Sequence, residues 1–139
     1  MANLRGFKHT QERWVYGDNG DIIGHLHPDG TKSFLPAGKV DNAITASTAS
    51  DNSGIQLNYR ISRVTTVGTA GDSVVLPPAK AGMSMTVINA AAANAMDVFP
   101  TVGEAINALS ANTALSVAAN KAINFTCAVD GTWNTILTA

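Results

Sequence analysis

Ser73-Val-Val-Leu76, Met83-Ser-Met-Thr-Val-Ile88, Met96-Asp-Val-Phe99, Leu115-Ser-Val117, Ile123-Asn-Phe-Thr-Cys-Ala-Val129 and Thr132-Trp-Asn-Thr-Ile-Leu137 succeed one another through the latter half of the chain. Each run is short. In several of them apolar residues alternate with small polar ones, the period of a strand with one face buried. The breaks between them hold turn formers: Pro77-Pro78, Ala81-Gly82, Pro100, Asn120-Lys121 and Asp130-Gly131. Beyond Lys80 the only charged residues are Asp97, Glu104, Lys121 and Asp130. The outward positions are Ser, Thr, Ala and Asn, so covering such a face with another protein desolvates no ions. The stretch predicts a β-rich packing module with no chemistry of its own.

Upstream, Ile55-Gln-Leu-Asn-Tyr-Arg-Ile-Ser-Arg63 is the cleanest alternation in the chain, with Ile55, Leu57, Tyr59 and Ile61 on one side. It reads as one more strand of the same body, joined to it by a turn over Thr65–Asp72. Ala90–Ala95 is too short to nucleate a helix and reads as a connection. Thr101–Leu109 has helical spacing at Val102, Ile106 and Leu109, but Gly103 and the flanking strands argue equally for irregular β structure. Residues 37–54 are rich in Ala, Ser, Thr, Asn, Asp and Gly without a period, and read as a linker. Before them, Trp14-Val-Tyr16, Ile22–Leu26 and Thr31–Leu35 are separated by Gly17-Asp-Asn-Gly20 and His27-Pro-Asp-Gly30, the punctuation of a three-stranded meander over 14–36. Residues 1–13 carry Arg5, Lys8, His9 and Arg13 against Glu12 and form an arm. The fold expected from these readings is all-β: an antiparallel, jelly-roll-like β-sandwich over 55–139, preceded by the meander and the extended arm.

The 139 residues suit one domain, and 45% of them are hydrophobic. Charged residues make up 14%, well below the roughly 25% usual for globular proteins. A net charge of −1 gives no field to gather nucleic acid or an anionic membrane, so neither is an expected partner. No apolar run is long enough for a spanning helix, and the start lacks the apolar core of a signal peptide. Cys127 is the only cysteine, which excludes an internal disulfide and a cysteine metal cage, and fits synthesis in a reducing cytosol.

Sites of chemistry are sparse in this sequence. His25 and His27 would share a strand side near Asp29, but only His9 remains as a further imidazole, and a metal wants three or four rigid ligands. All three histidines lie in the first third, and no Gly-x-Ser-x-Gly elbow accompanies them, against a hydrolytic triad. Glu12 and Glu104 are the only glutamates, and the aspartates sit mostly at turns. Gly68-Thr-Ala-Gly71 lacks the lysine of a phosphate loop and reads as a turn. Cys127 is in phase with Ile123, Phe125 and Val129 and reads as core. Asn124-Phe-Thr126 matches a glycosylation acceptor in form only, since it lies inside a strand. No enzyme, cofactor or metal is expected. In the arm, Leu4 and Phe7 are candidate anchors on a partner, and Arg5, Lys8 and Arg13 candidate ion-pair donors, with Trp14 beside them.

Two blocks carry a family likeness: Asp72-Ser-Val-Val-Leu-Pro-Pro-Ala79 with Gly82-Met-Ser-Met-Thr-Val-Ile-Asn89, and Val98-Phe-Pro-Thr-Val-Gly-Glu-Ala-Ile-Asn107 with Leu115–Lys121, Ile123-Asn-Phe125 and Gly131-Thr-Trp133. Together, over about half of the chain, they resemble a C-terminal pattern of small virion proteins of tailed bacteriophages. The resemblance implies a structural β module of the kind found in capsid decoration (cement) proteins, head fibres and tail-associated proteins, and no catalytic residues. The absence of long repeats argues against a tail fibre, and an aromatic content of 6% argues against a sugar-stacking tip. The expectation is therefore a cement protein on the capsid outer surface, made in the host cytoplasm. It would bridge neighbouring subunits of the major capsid protein and dock as a homodimer or homotrimer. The alternative is a tail or fibre adhesion module that binds a host glycan.

Overall fold

The computed structural model describes residues 13–16, 22–26, 28–30, 32–34 and 40–136, and the chain divides into two compact units, Met1–Lys39 and Val40–Ala139. In the first, β1 (Arg13–Tyr16), β2 (Ile22–Leu26) and β3 (Lys32–Phe34) form an antiparallel sheet in the order β1-β2-β3. Gly30, at φ +83°, takes the left-handed position in the turn between β2 and β3.

The second unit is a short β-solenoid. Its strands are β4 (Val40–Thr45), β5 (Ile55–Gln56), β6 (Ile61–Thr66), β7 (Ser73–Val75), β8 (Ser84–Asn89), β9 (Met96–Phe99), β10 (Ala105–Ile106), β11 (Leu115–Val117), β12 (Lys121–Val129) and β13 (Thr132–Thr135). From β4 to β9 the chain alternates between two sheets. β4, β6 and β8 stack in parallel in one, and β5, β7 and β9 in parallel in the other. The last strands close the stack: β12 runs antiparallel to β8, β13 pairs with β12, and β11 runs antiparallel to β9. The result is a six-stranded sheet of order β10-β13-β12-β8-β6-β4 and a four-stranded sheet of order β11-β9-β7-β5.

This architecture corrects the expected antiparallel jelly-roll sandwich. The protein is all-β among the described residues, but its sheets mix parallel and antiparallel pairs. The reason lies in what alternation encodes. A two-residue side-chain period reports a half-buried strand whatever the direction of its neighbour. Direction is set by the connections, and the segments joining β4 to β6 and β6 to β8 each cross to the other sheet before returning. Two local expectations change with it. The linker assigned to 37–54 contains β4, which pairs with β6 from Val40 opposite Ile61 to Thr45 opposite Thr66. The single strand read at Ile55–Arg63 is two strands, β5 and β6, in different sheets. Of its four alternating apolar residues only Leu57 is buried, while Ile55, Tyr59 and Ile61 are exposed. The chain turns the solenoid corner there, and the Ser62 hydroxyl donates to the Tyr59 carbonyl at 3.1 Å.

One core lies between the two sheets. Ile44, Val64, Val87, Phe125 and Trp133 point in from the six-stranded sheet and meet Val74, Leu76, Met96, Val98 and Val117 from the other. Phe125 and Trp133 meet edge to face, with ring centroids 6.4 Å apart and planes at 84°. The Trp133 indole donates to the Pro77 carbonyl at 3.2 Å. Asn89 is fully buried, and its amide donates to the carbonyls of Asn94 and Val117, both at 2.9 Å, while its oxygen accepts from the Ala91 N–H at 3.1 Å. A buried amide so placed closes the solenoid corner where strand hydrogen bonds run out. Thr101–Leu109 forms no helix, and its middle is β10, parallel to β13.

Candidate functional site

The two sheets differ in what covers their outer faces. β7 is buried on both sides, because the segment after β4 folds over it. Ser47 bridges to Ser73, the Asn52 amide reaches the Pro100 carbonyl at 2.7 Å, and the Ser50 hydroxyl reaches the Gly71 carbonyl at 3.2 Å. Gly54 allows this approach: a Cβ there would stand 2.7 Å from the Ser73 hydroxyl oxygen and 3.1 Å from its carbonyl oxygen. The six-stranded sheet shows the opposite pattern. Its outward positions on β6, β8 and β12 are exposed or half-buried, and so are Asn134 and Ile136.

Register sets these outward residues in rows. Val40 lies opposite Ile61, Ile61 opposite Thr86, and Thr86 opposite Asn124. The Ile136 N–H, just past β13, donates to the Asn124 carbonyl at 3.4 Å and extends the row. One row therefore reads Val40, Ile61, Thr86, Asn124, Ile136 across five strands. Its aliphatic members are open to solvent, at 51% for Val40, 39% for Ile61 and 59% for Ile136. At its centre the Thr86 hydroxyl donates to the Asn124 side-chain oxygen at 2.6 Å. The next row holds Arg63, Ile88 and Ala122, again in register. Arg63 is the one charged residue among the outward positions of β6, β8, β12 and β13, and its guanidinium reaches the Asn42 carbonyl at 3.4 Å.

This face is poor in chemistry and well suited to contact. An open depression of about 270 Å³, lined by Arg60, Ser84, Thr86, Asn124, Thr126 and Ile136, falls below the roughly 300–1,000 Å³ of ligand clefts. Among the described residues no three of His, Cys, Asp and Glu gather in a group that could hold a metal ion. Several carboxylates hold backbone N–H groups in place. Asp72 accepts from the N–H groups of Gly68 and Thr69 at 2.8 and 3.0 Å, which holds the Gly68–Gly71 segment as a turn. Glu104 accepts from the Ala79 N–H with both oxygens, at 3.1 and 3.0 Å. The Ala81 N–H first, and Lys80 second, hold the Asp130 carboxyl below its ordinary range. Cys127 faces the core, its thiol donates to the Val129 carbonyl at 3.1 Å, and burial pushes its pKa up.

Of the contact residues expected from the sequence, Leu4, Arg5, Phe7 and Lys8 lie outside the described residues. Arg13 and Trp14 open β1, in register with Leu26 and His25. His25 lies on β2 opposite Ser33, while His9 and His27 fall outside the described residues. The row on the six-stranded sheet was not singled out from the sequence. Its members are spread from position 40 to 136, and only the strand register brings them together. A comparison with protein-family models finds no match, and a comparison with curated proteins finds none either.

Proposed function

We propose that this protein is a structural subunit of a bacteriophage virion that decorates the capsid and bridges neighbouring subunits of the major capsid protein. The observation that supports a role in packing against protein is the outer face of the six-stranded sheet: exposed aliphatic groups among Thr, Asn, Ser and Ala, with Arg63 as its only outward strand charge and Arg60 beside the row. Covering such a face removes apolar area from water and desolvates few ions. The virion part rests on the resemblance of residues 72–89 and 98–133 to small phage virion proteins. Bridging would stabilise a shell by linkage, since a ligand of the assembled lattice alone favours that lattice, and modest contacts at several points add through effective concentration.

The test is binding of the purified protein to purified capsids, with electron microscopy to place and count it. Regular occupancy of the head surface supports the reading. Density on the tail, or binding to a host glycan in place of capsids, would replace it with the adhesion reading. Removing residues 1–13 is expected to weaken capsid binding while leaving the thermal transition of the chain intact. Unchanged occupancy would take the arm out of the mechanism.

A further inference from the structure

Edges and faces are the two ways a sheet protein meets another chain, and here the edges are poor templates. β10 and β5 have two residues each, and β11 has three. β4 is longer, but its register slips twice, between Asp41 and Ile44 and between Ile44 and Thr45. Short and irregular edges resist strand addition. The outer face of the four-stranded sheet is partly occupied by the segment that carries Ser47 and Asn52. The outer face of the six-stranded sheet remains.

We infer that this face binds a second copy of the chain about a two-fold axis that runs along the strands between β8 and β12. The inference rests on the reading of this face as one that protein covers; it assigns the face to the pairing of two copies and leaves the arm and the other surfaces of the pair to the capsid. Its basis is the symmetry of the central row. Across β6, β8, β12 and β13 the outward residues are Ile61, Thr86, Asn124 and Ile136: aliphatic, polar, polar, aliphatic. An axis between the middle pair lays Ile61 of one copy on Ile136 of the other, and Thr86 on Asn124. Each contact then occurs twice, as an isologous interface requires. Thr86 and Asn124 bond each other at 2.6 Å within one copy through the Asn124 oxygen, and the overlay sets the Asn124 NH2 group of one copy against the Thr86 hydroxyl oxygen of the other, which has a lone pair left to accept it. Charge works against a tight contact: the two copies of Arg63 would stand about three strand spacings, or ~14 Å, apart, and Arg60, exposed beside the row, adds a second like-charged pair.

Size sets the strength. Six strands about 4.8 Å apart and three outward rows about 7 Å apart give roughly 500 Å² per copy. The total of about 1,000 Å² is at the lower limit for a specific interface. The dimer is accordingly weak, forming at micromolar concentrations or above.

Sedimentation velocity of the full chain, from about 1 to about 500 μM, reads this directly. The average mass should climb from the 14.4 kDa of one chain toward twice that value. Ile61→Glu or Ile136→Lys alone should weaken association by at least about tenfold. The double variant should recover much of it, because each new carboxylate then faces a new ammonium across the axis. Both sites are exposed, so the melting temperature should stay near wild type, and amide shifts of Ile61, Thr86, Asn124 and Ile136 on dilution of the wild type give the same answer without substitution. A wild type that stays monomeric, single variants that associate like wild type, or shifts confined to other residues would overturn the inference. So would a monomer whose Ile61 and Ile136 variants lose capsid binding, since the occupant would then be the capsid. The association and amide-shift results do not depend on the virion assignment: a dimer absent from virions would refute the proposed function and leave the interface standing.

Discussion

At the scale of single residues the structure concentrates its stability in a few fully buried groups. Phe125→Ala would remove the ring that meets Trp133 edge to face, and should cost about 3–5 kcal/mol in urea denaturation. Asn89→Ala is a polar counterpart. It strands the carbonyls of Asn94 and Val117 and the N–H of Ala91, and each stranded group costs about 1–3 kcal/mol, so the loss should match or exceed that of a core truncation. Cys127 makes a pH prediction. Burial raises its pKa in the folded state, so the unfolded chain releases this proton more readily. Its contribution is whole below the unfolded value of about 8.5 and is lost as pH rises through the folded value. Stability should fall on the alkaline side, and Cys127→Ala should flatten that slope. A thiol reagent should label native protein slowly and urea-unfolded protein at once. Rapid labelling of the native chain would contradict the inward position of Cys127.

Among the elements, those of the latter half were the most legible. Alternation and turn formers located β7, β8, β9, β11, β12 and β13 to within a residue or two, because most inward side chains are apolar, with Ser73 and Asn89 as buried polar exceptions, and each break carries Pro, Gly or Asn. Periodicity could not state the direction of neighbouring strands, and hence the expected sandwich gave way to parallel coils. β4 escaped notice because only Ile44 and, just past its end, Ala46 are buried there, while Val40 is exposed and the bulges break the period. β5 and β6 were merged because the corner residue Tyr59 happens to continue the alternation of Ile55 and Leu57. The docking row was invisible, since its members come from four separate strands and the residue just past a fifth. This reading of the elements has a direct consequence for fragments. A chain beginning at Val40 keeps the stacked parallel strands β4, β6 and β8 and should unfold cooperatively. One beginning at Ile55 loses β4, uncovers β6 and Val64, and should be strongly destabilised or aggregate. Equal stability of the two fragments would restore the linker reading. Gly54→Ala should also destabilise, since the new methyl group would meet Ser73 at 2.7 Å.

For the whole molecule, the solenoid explains how a chain with so few charges presents a broad neutral face. Stacking parallel coils turns one outward residue per strand into a row, so side chains distant in sequence act as a single surface. The two-fold pairing uses that face and depends on the register that builds it, and it leaves the capsid contacts of the proposed role to the arm and the other surfaces of the pair. The most direct test is therefore the direction of β6 against β8, read from inter-strand nuclear Overhauser effects in the isotope-labelled wild-type chain. Parallel coils predict contacts that climb together along both strands: Ile61 with Thr86, Ser62 with Val87, Arg63 with Ile88 and Val64 with Asn89. Contacts that climb along β6 while descending along β8, or none between the two strands, would contradict the solenoid and dissolve the row on which the rest stands.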